Sequence, residues 1–229
     1  FGDPELDLDK IRNWKESVVT KLSNGITQLA KARNVQVIQG LATFDSPTQL
    51  SITSENSQQT LTFENCIIGT GSVAAGIPGF PTDHPRIINS TGALKLQNIP
   101  KRLLVIGGGY IGLEMGSVYN ALGSQVTVVE FMPFLLPGAD EDLVKPLASK
   151  LKKSFENIYL STKVSKVEPT DNEVTVHFEG TDGKEFSETF DTVLVSVGRK
   201  PNTSNLGLEN AGISLTERGF IPVNEKRQT

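Results

Sequence analysis

The sequence predicts an α/β fold built on a parallel sheet, and three observations support this. Continuous apolar runs such as Leu103–Ile106 and Thr192–Val197 are typical of strands that are buried on both faces of a sheet. After the first of these runs, residues 110–122 have the apolar spacing of a helix. Alternating runs at 164–168, 174–178 and 185–190 indicate an antiparallel meander. The predicted domain therefore combines helices, a parallel sheet and a meander in three layers.

Composition and charge exclude several classes of partner. The chain has 229 residues, of which 37% are hydrophobic and 21% charged, which is enough for one large or two small domains. A net charge of −4 without a basic run argues against nucleic-acid and anionic membrane partners. No apolar stretch reaches the roughly 18–20 residues that a membrane span needs. The single cysteine, Cys66, excludes an intramolecular disulfide and favours a reducing, cytoplasmic location.

The first third of the chain predicts a helix followed by short strands. Residues 5–33 place apolar side chains three and four positions apart, which predicts an amphipathic helix with a core-facing stripe. Three runs, at 35–39, 49–53 and 60–63, predict a small meander. The run Asn65–Ile68 predicts a buried strand, in which Cys66 acts as a small hydrophobe.

The remainder of the chain predicts a connector and a second domain. Residues 73–100 are rich in Gly and Pro and are interpreted as a connector with a helical turn near 91–96. A domain over 101–223 then holds the parallel strands, a helix from 140 to about 155 and the second meander. The predicted division is thus an incomplete domain at 1–72, the connector, the domain at 101–223 and a short return segment at 224–229.

The strongest functional motif lies in residues 103–130, LLVIGGGYIGLEMGSVYNALGSQVTVVE. It combines a strand, a glycine-rich turn, a helix and a second strand that ends in a carboxylate, which is the complete dinucleotide-binding pattern. Gly107 permits the tight turn, Gly109 lets a pyrophosphate approach the backbone, and Gly112 lets the helix pack on the strand. The pyrophosphate would lie on free N–H groups at the helix N-terminus. Glu130 is placed to accept hydrogen bonds from a ribose 2′-hydroxyl.

The same motif favours NAD(H) over NADP(H). The carboxylate of Glu130 would repel a 2′-phosphate, and the next residues, Phe131 and Met132, offer no arginine to bind one. A site built to hydrogen-bond a hydroxyl also discriminates strongly against an analogue that cannot satisfy it.

Other candidate residues receive structural interpretations. His84 and His177 have no partner at metal-ligand spacing, so no metal site is predicted. Arg199 leaves two alternatives open, because it either steadies the exit from the last buried strand or contacts a flavin in an intact enzyme.

Three segments together resemble a known family: GGGYIGLEMGSVYNALGSQVTVVE, IIGTGS at 67–72, and VSVGRKPNTSNLGLENAGISLTERGFIPVN at 195–224. Over essentially the whole chain they resemble the bacterial flavin-dependent, pyridine nucleotide-disulfide oxidoreductases. The pattern is most similar to the members that oxidise protein-bound dihydrolipoamide with NAD⁺. The resemblance implies a Rossmann-like NAD-binding domain at 101–223, preceded by an incomplete FAD-binding domain at 1–72.

The resemblance also implies site residues where the positions match. Tyr110 matches an aromatic gate over the flavin in some relatives, and Glu114 matches an acid near the nicotinamide. The residues expected to bind NAD are Gly107, Gly108, Gly109, Tyr110, Ile111, Gly112, Glu114, Glu130, Val164 and Gly198. The residues expected to border FAD in an intact enzyme are Gly40, Thr70, Gly71 and Ser72.

Several family features have no match in these 229 residues. They are the redox cysteine pair, the N-terminal glycine-rich turn for FAD, the glycine-aspartate motif and the C-terminal His–Glu pair. We therefore expect the central portion of a longer enzyme, with no catalytic residue of its own, NADH binding and no stoichiometric FAD. The partners implied for the longer enzyme are the lipoyl domains of 2-oxo-acid dehydrogenase complexes and a second copy of itself. The alternatives are another family member, such as a soluble transhydrogenase or mercuric reductase, and a stand-alone NAD-binding module.

Overall fold

The computed structural model describes residues 5–229, which form helices and short strands in several sheets. The α-helices are α1 Leu8–Ala32, α2 Ser90–Leu94, α3 Tyr110–Ala121 and α4 Glu141–Ser154, and a 3-10 helix spans Leu208–Ala211. The strands are β1 Leu41–Ser46, β2 Gln49–Thr53, β3 Gln58–Thr62, β4 Ser72–Ala74, β5 Ile87–Ile88, β6 Arg102–Ile106, β7 Gln125–Val129, β8 Asn157–Tyr159, β9 Thr162–Pro169, β10 Val174–Gly180, β11 Glu185–Phe190, β12 Thr192–Val195 and β13 Arg199–Pro201.

These elements fall into two compact units. One contains the described residues up to Trp14 together with Ala74–Gly198, and the other contains Lys15–Val73 together with Arg199–Thr229. The functional division at 1–72 and 101–223 is drawn on different grounds and stays a prediction.

The first unit is built on a five-stranded sheet with the order β5-β12-β6-β7-β8. All four strand pairs are parallel. The strands β6, β7 and β12 consist almost entirely of buried residues, as parallel strands covered on both faces must. The predicted α/β class is therefore confirmed.

Alternate residues of the strands point to opposite faces of this sheet and form two cores. Leu103 and Val105 of β6 face a core shared with α3 and α4, whereas Leu104 and Ile106 face a core shared with the meander β9-β10-β11. The unit thus has three layers, namely helices, parallel sheet and meander, as predicted. The helix-side core contains Ala93, Leu96, Leu103, Val105, Leu113, Tyr119, Val126, Val128, Leu135, Val144, Leu151, Phe155 and Leu194.

The second unit contains the antiparallel meander β1-β2-β3. The N–H of Phe44 donates to the Leu206 carbonyl at 2.8 Å, and the Asn210 side chain donates to the Phe44 carbonyl at 2.8 Å. These bonds join β1 to the segment that contains the 3-10 helix. The first strand of the meander is thus Leu41–Ser46 and not the predicted 35–39.

The helix α1 forms as predicted, but its apolar stripe is not core-facing. Only Leu8 and Ile11 near its N-terminus pack against the helix-side core, and no residue of α1 is buried. Further along, the exposed fraction is 66% for Leu22 and 69% for Ile26. An apolar stripe shows which side chains of a helix would gain from burial. Among the described residues, nothing covers most of the apolar side chains of α1.

Two other predictions are corrected by the structure. Asn65–Ile68 is not a buried strand, since it pairs with no described strand, Cys66 is exposed and Ile67 is 96% exposed. A continuous apolar run becomes a buried strand only when neighbours cover it, and this one has none in the described residues.

Residues 73–100 are more than a connector, because Ile87–Ile88 forms β5 at the edge of the parallel sheet. The predicted helical turn in this region is confirmed as α2.

Within residues 5–229 no helix is both long enough and apolar enough to cross a membrane. The same residues contain no group of three or more His, Cys, Asp or Glu arranged to hold a metal ion.

Candidate dinucleotide site

The glycine-rich turn begins where β6 ends, beside the ends of β7 and β12. Gly107 has φ +107°, and a Cβ there would lie 2.5 Å from the Ser196 carbonyl oxygen. Its N–H donates to the Val129 carbonyl at 2.9 Å. Both the backbone conformation and the close approach therefore require glycine at this position.

Gly112 allows α3 to pack directly on this turn. A Cβ on Gly112 would lie 2.2 Å from the Gly107 carbonyl oxygen and 2.6 Å from the Ser196 hydroxyl oxygen. That hydroxyl donates to the Ile106 carbonyl at 2.9 Å and so joins β12 to the turn. Ser196 was missed from the sequence, because its neighbours in the fold come from a strand about 90 residues earlier.

Gly109 is the residue immediately before α3 and differs from its neighbours in having free space. It has extended backbone angles of −77° and 176°, it provides no side-chain cap, and no atom lies within 4 Å of a Cβ built on it. The first N–H groups of a helix have no partner within the helix and carry its positive dipole end. The open backbone at Gly109 and the free N–H groups beside it could together hold a pyrophosphate.

Three other residues predicted to bind NAD lie on the first turns of α3. Ile111 is half-buried, whereas Tyr110 and Glu114 are exposed.

Glu130 is buried at the end of β7 and accepts hydrogen bonds from two backbone segments. Its Oε2 accepts from the Gly108 N–H at 2.7 Å, and its Oε1 accepts from the Met132 N–H at 2.8 Å. Gly108 is confined on the other side, because a Cβ there would lie 2.6 Å from the Leu135 side chain. The structure therefore brings Glu130 and the turn into direct contact.

The other residues predicted to bind NAD lie on separate elements. Val164 is half-buried on β9 and packs against the meander-side core. Gly198 follows β12 with φ +122° and no atom within 4 Å of a Cβ, and its carbonyl accepts from the Ala75 N–H at 2.9 Å. Their roles toward a nucleotide stay predictions.

The residues predicted to border FAD lie in the second unit. A Cβ on Gly40 would lie 2.7 Å from the Ile52 side chain and 2.9 Å from the Thr53 carbonyl oxygen. Thr70, Gly71 and Ser72 are exposed, and Gly71 has φ +67°.

Arg199 and Asn202 hold the segment from Thr70 to Ser72. The Arg199 Nε donates to the Ser72 hydroxyl at 2.7 Å, and its Nη2 donates to the Ser72 carbonyl at 2.5 Å. The Asn202 N–H donates to the Gly71 carbonyl at 3.0 Å. Of the two interpretations of Arg199 left open by the sequence, the observed bonds favour a structural one.

A polar network joins the parallel sheet to the meander beside Glu130. The Tyr159 hydroxyl donates to Glu188 Oε1 at 2.5 Å, and Arg102 pairs with the other oxygen of that carboxylate at 2.8 Å. Burial and then the hydrogen bond to Glu188 raise the pKa of Tyr159 to about 12. The Tyr159 carbonyl accepts from the Glu130 N–H at 2.8 Å, so this network fixes the backbone beside the candidate site.

The two histidines lie away from the turn. The His177 Nε2 is 2.6 Å from Glu168 Oε2 on the exposed face of the meander, and the His84 ring accepts from the Arg86 N–H at 3.3 Å. Hydrogen bonds from Lys166 and His177 lower the pKa of Glu168. Both histidines thus have local structural partners.

Comparison with known proteins identifies relatives over the whole chain. The profile of the family described as pyridine nucleotide-disulphide oxidoreductase matches residues 3–229. A dihydrolipoyl dehydrogenase of Vibrio cholerae is 42% identical over 229 residues, covering 100% of this chain and 48% of that protein. The dihydrolipoyl dehydrogenase of Haemophilus influenzae is 44% identical over 232 residues, covering 100% and 48%. The chain thus spans about half the length of these relatives.

Solved structures show the same fold. The HOCl-induced flavoprotein disulfide reductase RclA from Escherichia coli is similar with a TM-score of 0.84 and 32% identity, over 96% of this chain and 49% of that one. Its Cu(II) complex gives a TM-score of 0.84 and 33% identity, over 93% and 48%.

Proposed function

The chain belongs to the pyridine nucleotide-disulphide oxidoreductase family, and from this premise we propose that its residues 101–223 form an NAD(H)-binding domain. The observation that carries the proposal is the turn from Gly107 to Gly112. Gly109 leaves open space at the N-terminus of α3, while the neighbouring glycines are closely packed. A pyrophosphate needs this combination of a fixed turn and an unobstructed backbone.

Glu130 supports NAD(H) rather than NADP(H) as the nucleotide. Its carboxylate is buried and held by two N–H donors. Each carboxylate oxygen accepts more than one hydrogen bond, so both can still accept a ribose hydroxyl. A 2′-phosphate would add negative charge beside the carboxylate. Phe131 and Met132, which follow it, provide no compensating cation.

The whole enzyme is proposed to be a dihydrolipoamide dehydrogenase. It would convert dihydrolipoamide and NAD⁺ to lipoamide, NADH and a proton. The identity to dihydrolipoyl dehydrogenases is 42–44% for the two relatives above, against 32–33% for the RclA structures, which favours this member of the family. The nicotinamide, when bound, supplies the hydride chemistry, and the residues of this chain bind and orient it.

Further features of the longer protein are proposed with it. Gly40, Thr70, Gly71 and Ser72 would border FAD, and the hydrogen bonds from Arg199 and Asn202 would hold the Thr70–Ser72 segment in place for it. The partners would be the lipoyl domains of 2-oxo-acid dehydrogenase complexes and a second copy of the enzyme, in the cytoplasm. The present 229 residues would bind NADH, hold no stoichiometric FAD and lack turnover, because they carry neither a redox cysteine pair nor a catalytic histidine.

Another flavoprotein disulfide reductase is the second candidate, because the RclA structures share the fold at 32–33% identity. The redox substrate separates the two candidates. The longer enzyme should reduce lipoamide with NADH if the first candidate is correct, and should fail to do so if the second is.

Titration of the purified chain with NADH and with NADPH tests the nucleotide proposal. We expect calorimetry to show NADH binding and much weaker NADPH binding, and absorbance to show no flavin. A folded chain that binds neither nucleotide, or both equally, would contradict the proposal. NADH-dependent reduction of lipoamide by this chain above a no-enzyme control would contradict the proposed lack of turnover.

A further inference from the structure

We propose that Glu130 is also a positioning residue, which holds the glycine-rich turn in the shape that receives the pyrophosphate. This inference rests on the proposed nucleotide function and deepens it. In the proposed ribose contact, the carboxylate accepts a hydrogen bond from the ligand. In the new role, the carboxylate fixes the backbone of the turn before any ligand binds.

The geometry that carries the inference is a bridge between two loops. Glu130 Oε2 accepts from the Gly108 N–H at 2.7 Å, in the turn that follows β6. Its Oε1 accepts from the Met132 N–H at 2.8 Å, in the loop that follows β7. Hydrogen bonds to an ionised carboxylate are about twice as strong as those between neutral groups. One buried side chain thus links the two loops that border the candidate site.

The N–H of Gly108 depends on this carboxylate because it donates to Glu130 Oε2 from a buried position. The Gly108 carbonyl already accepts from the Leu136 N–H at 2.9 Å, and the Leu135 and Glu130 side chains pack against its Cα. Gly108 is buried, so its N–H without Glu130 would be left without a partner away from water. The turn would then have to move to regain a hydrogen bond.

An analogue of NADH that lacks the ribose 2′-hydroxyl distinguishes the two roles of Glu130. If Glu130 acts only on the 2′-hydroxyl, its replacement weakens binding of NADH but not of an analogue that lacks this hydroxyl. If Glu130 also positions the turn, replacement weakens binding of both, because the pyrophosphate meets a displaced backbone. Replacing Glu130 to admit a 2′-phosphate would for the same reason disturb the turn.

Backbone amide exchange of the unmodified chain is the first test. The Gly108 and Met132 amides should exchange slowly in the absence of nucleotide. Exchange at the rate of unstructured peptide amides would overturn the inference, and this result depends neither on a variant nor on NADH binding.

The second test compares Glu130→Gln with Glu173→Gln, which makes the same chemical change at an exposed position between β9 and β10. The amide of Glu130→Gln has one acceptor oxygen, so it satisfies only one of the two N–H groups. We expect faster exchange at Gly108 or Met132, and about tenfold weaker binding of the 2′-deoxyadenosine analogue of NADH, because a hydrogen bond to a charged group is lost. Glu173→Gln should change neither quantity.

The outcomes separate the two proposals. Unchanged affinity for the deoxy analogue in a folded Glu130→Gln protein overturns the positioning role and leaves the nucleotide function standing. Absence of NADH binding by the unmodified chain contradicts the nucleotide function, while the amide exchange still decides the positioning role. If Glu130→Gln does not fold, the exchange rates of the unmodified chain decide alone.

Discussion

The Cα of Gly112 faces the carbonyl oxygen of Gly107 so closely that a Cβ on Gly112 would lie 2.2 Å from that oxygen. This contact presses the first turn of α3 onto the end of β6. Because a carbonyl oxygen of the backbone cannot rotate away as a side chain can, the contact couples the helix to the turn. The position of the helix N-terminus therefore depends on the absence of a Cβ at both Gly107 and Gly112.

Replacement of Gly112 by alanine should therefore destabilise the fold. The helix must shift, and overpacking of this kind costs about 1–3 kcal/mol of unfolding free energy. NADH affinity should fall as well, because the shift displaces the helix N-terminus. Denaturant unfolding and NADH titration measure the two effects. Gly25→Ala, in α1 with nothing within 4 Å, is the control and should not lower stability. An unchanged unfolding midpoint for Gly112→Ala would refute the argument.

Replacement of Gly109 by alanine should weaken NADH binding without lowering stability. Its φ of −77° suits alanine and no atom lies within 4 Å, so the unfolding free energy should stay within about 0.5 kcal/mol of the original. The added methyl group would occupy the space proposed for the pyrophosphate, and NADH affinity should fall by about tenfold or more. If calorimetry instead shows unchanged affinity, the pyrophosphate does not approach Gly109.

Stability at alkaline pH should depend on Tyr159. Burial and the hydrogen bond to Glu188 raise the pKa of this phenol from 10.0 to about 12. Between these values the folded protein keeps a proton that the unfolded chain has lost, so this contribution is complete below pH 10 and lost as the pH rises to 12. Tyr159→Phe should lose less stability across this interval in chemical unfolding measured at several pH values.

The control for this experiment is Tyr110→Phe, whose ring is 63% exposed on α3. It should follow the alkaline profile of the unmodified chain. Tyr119, whose pKa burial also raises, is present in all three proteins and cancels in the comparison. Identical profiles for Tyr159→Phe and the unmodified chain would show that the phenol proton is not linked to folding.

The thiol of Cys66 should react in the native protein. Cys66 is exposed, and its neighbour Ile67 is 96% exposed. A disulfide reagent such as Ellman's reagent should therefore modify one thiol per chain without denaturant. Reaction only after denaturation would mean that the segment is covered in solution. Cys66→Ser should abolish the signal and leave the unfolding midpoint unchanged.

The strand, turn, helix and second strand of the candidate site were predictable from sequence, since they follow one another within residues 103–130. The non-local parts were not. Ser196, which follows β12, contacts the turn from a distant part of the chain, and β5 has only two residues, too few for a periodic pattern. The apolar pattern of α1 and of Asn65–Ile68 predicted burial that the described residues do not supply. An apolar pattern identifies side chains that favour burial, but it does not show whether other residues are present to cover them.

The short strand β5 has a practical consequence for anyone who wants the nucleotide domain in isolation. Ile87 and Ile88 pair with Val193 and Leu194, and the Arg86 side chain donates to the carbonyls of Asp171 and Asp191. An expression clone that starts at residue 101 would strip the outer edge from β12 and leave its amides ready to pair with another molecule. Cloning boundaries should therefore fall upstream of residue 86.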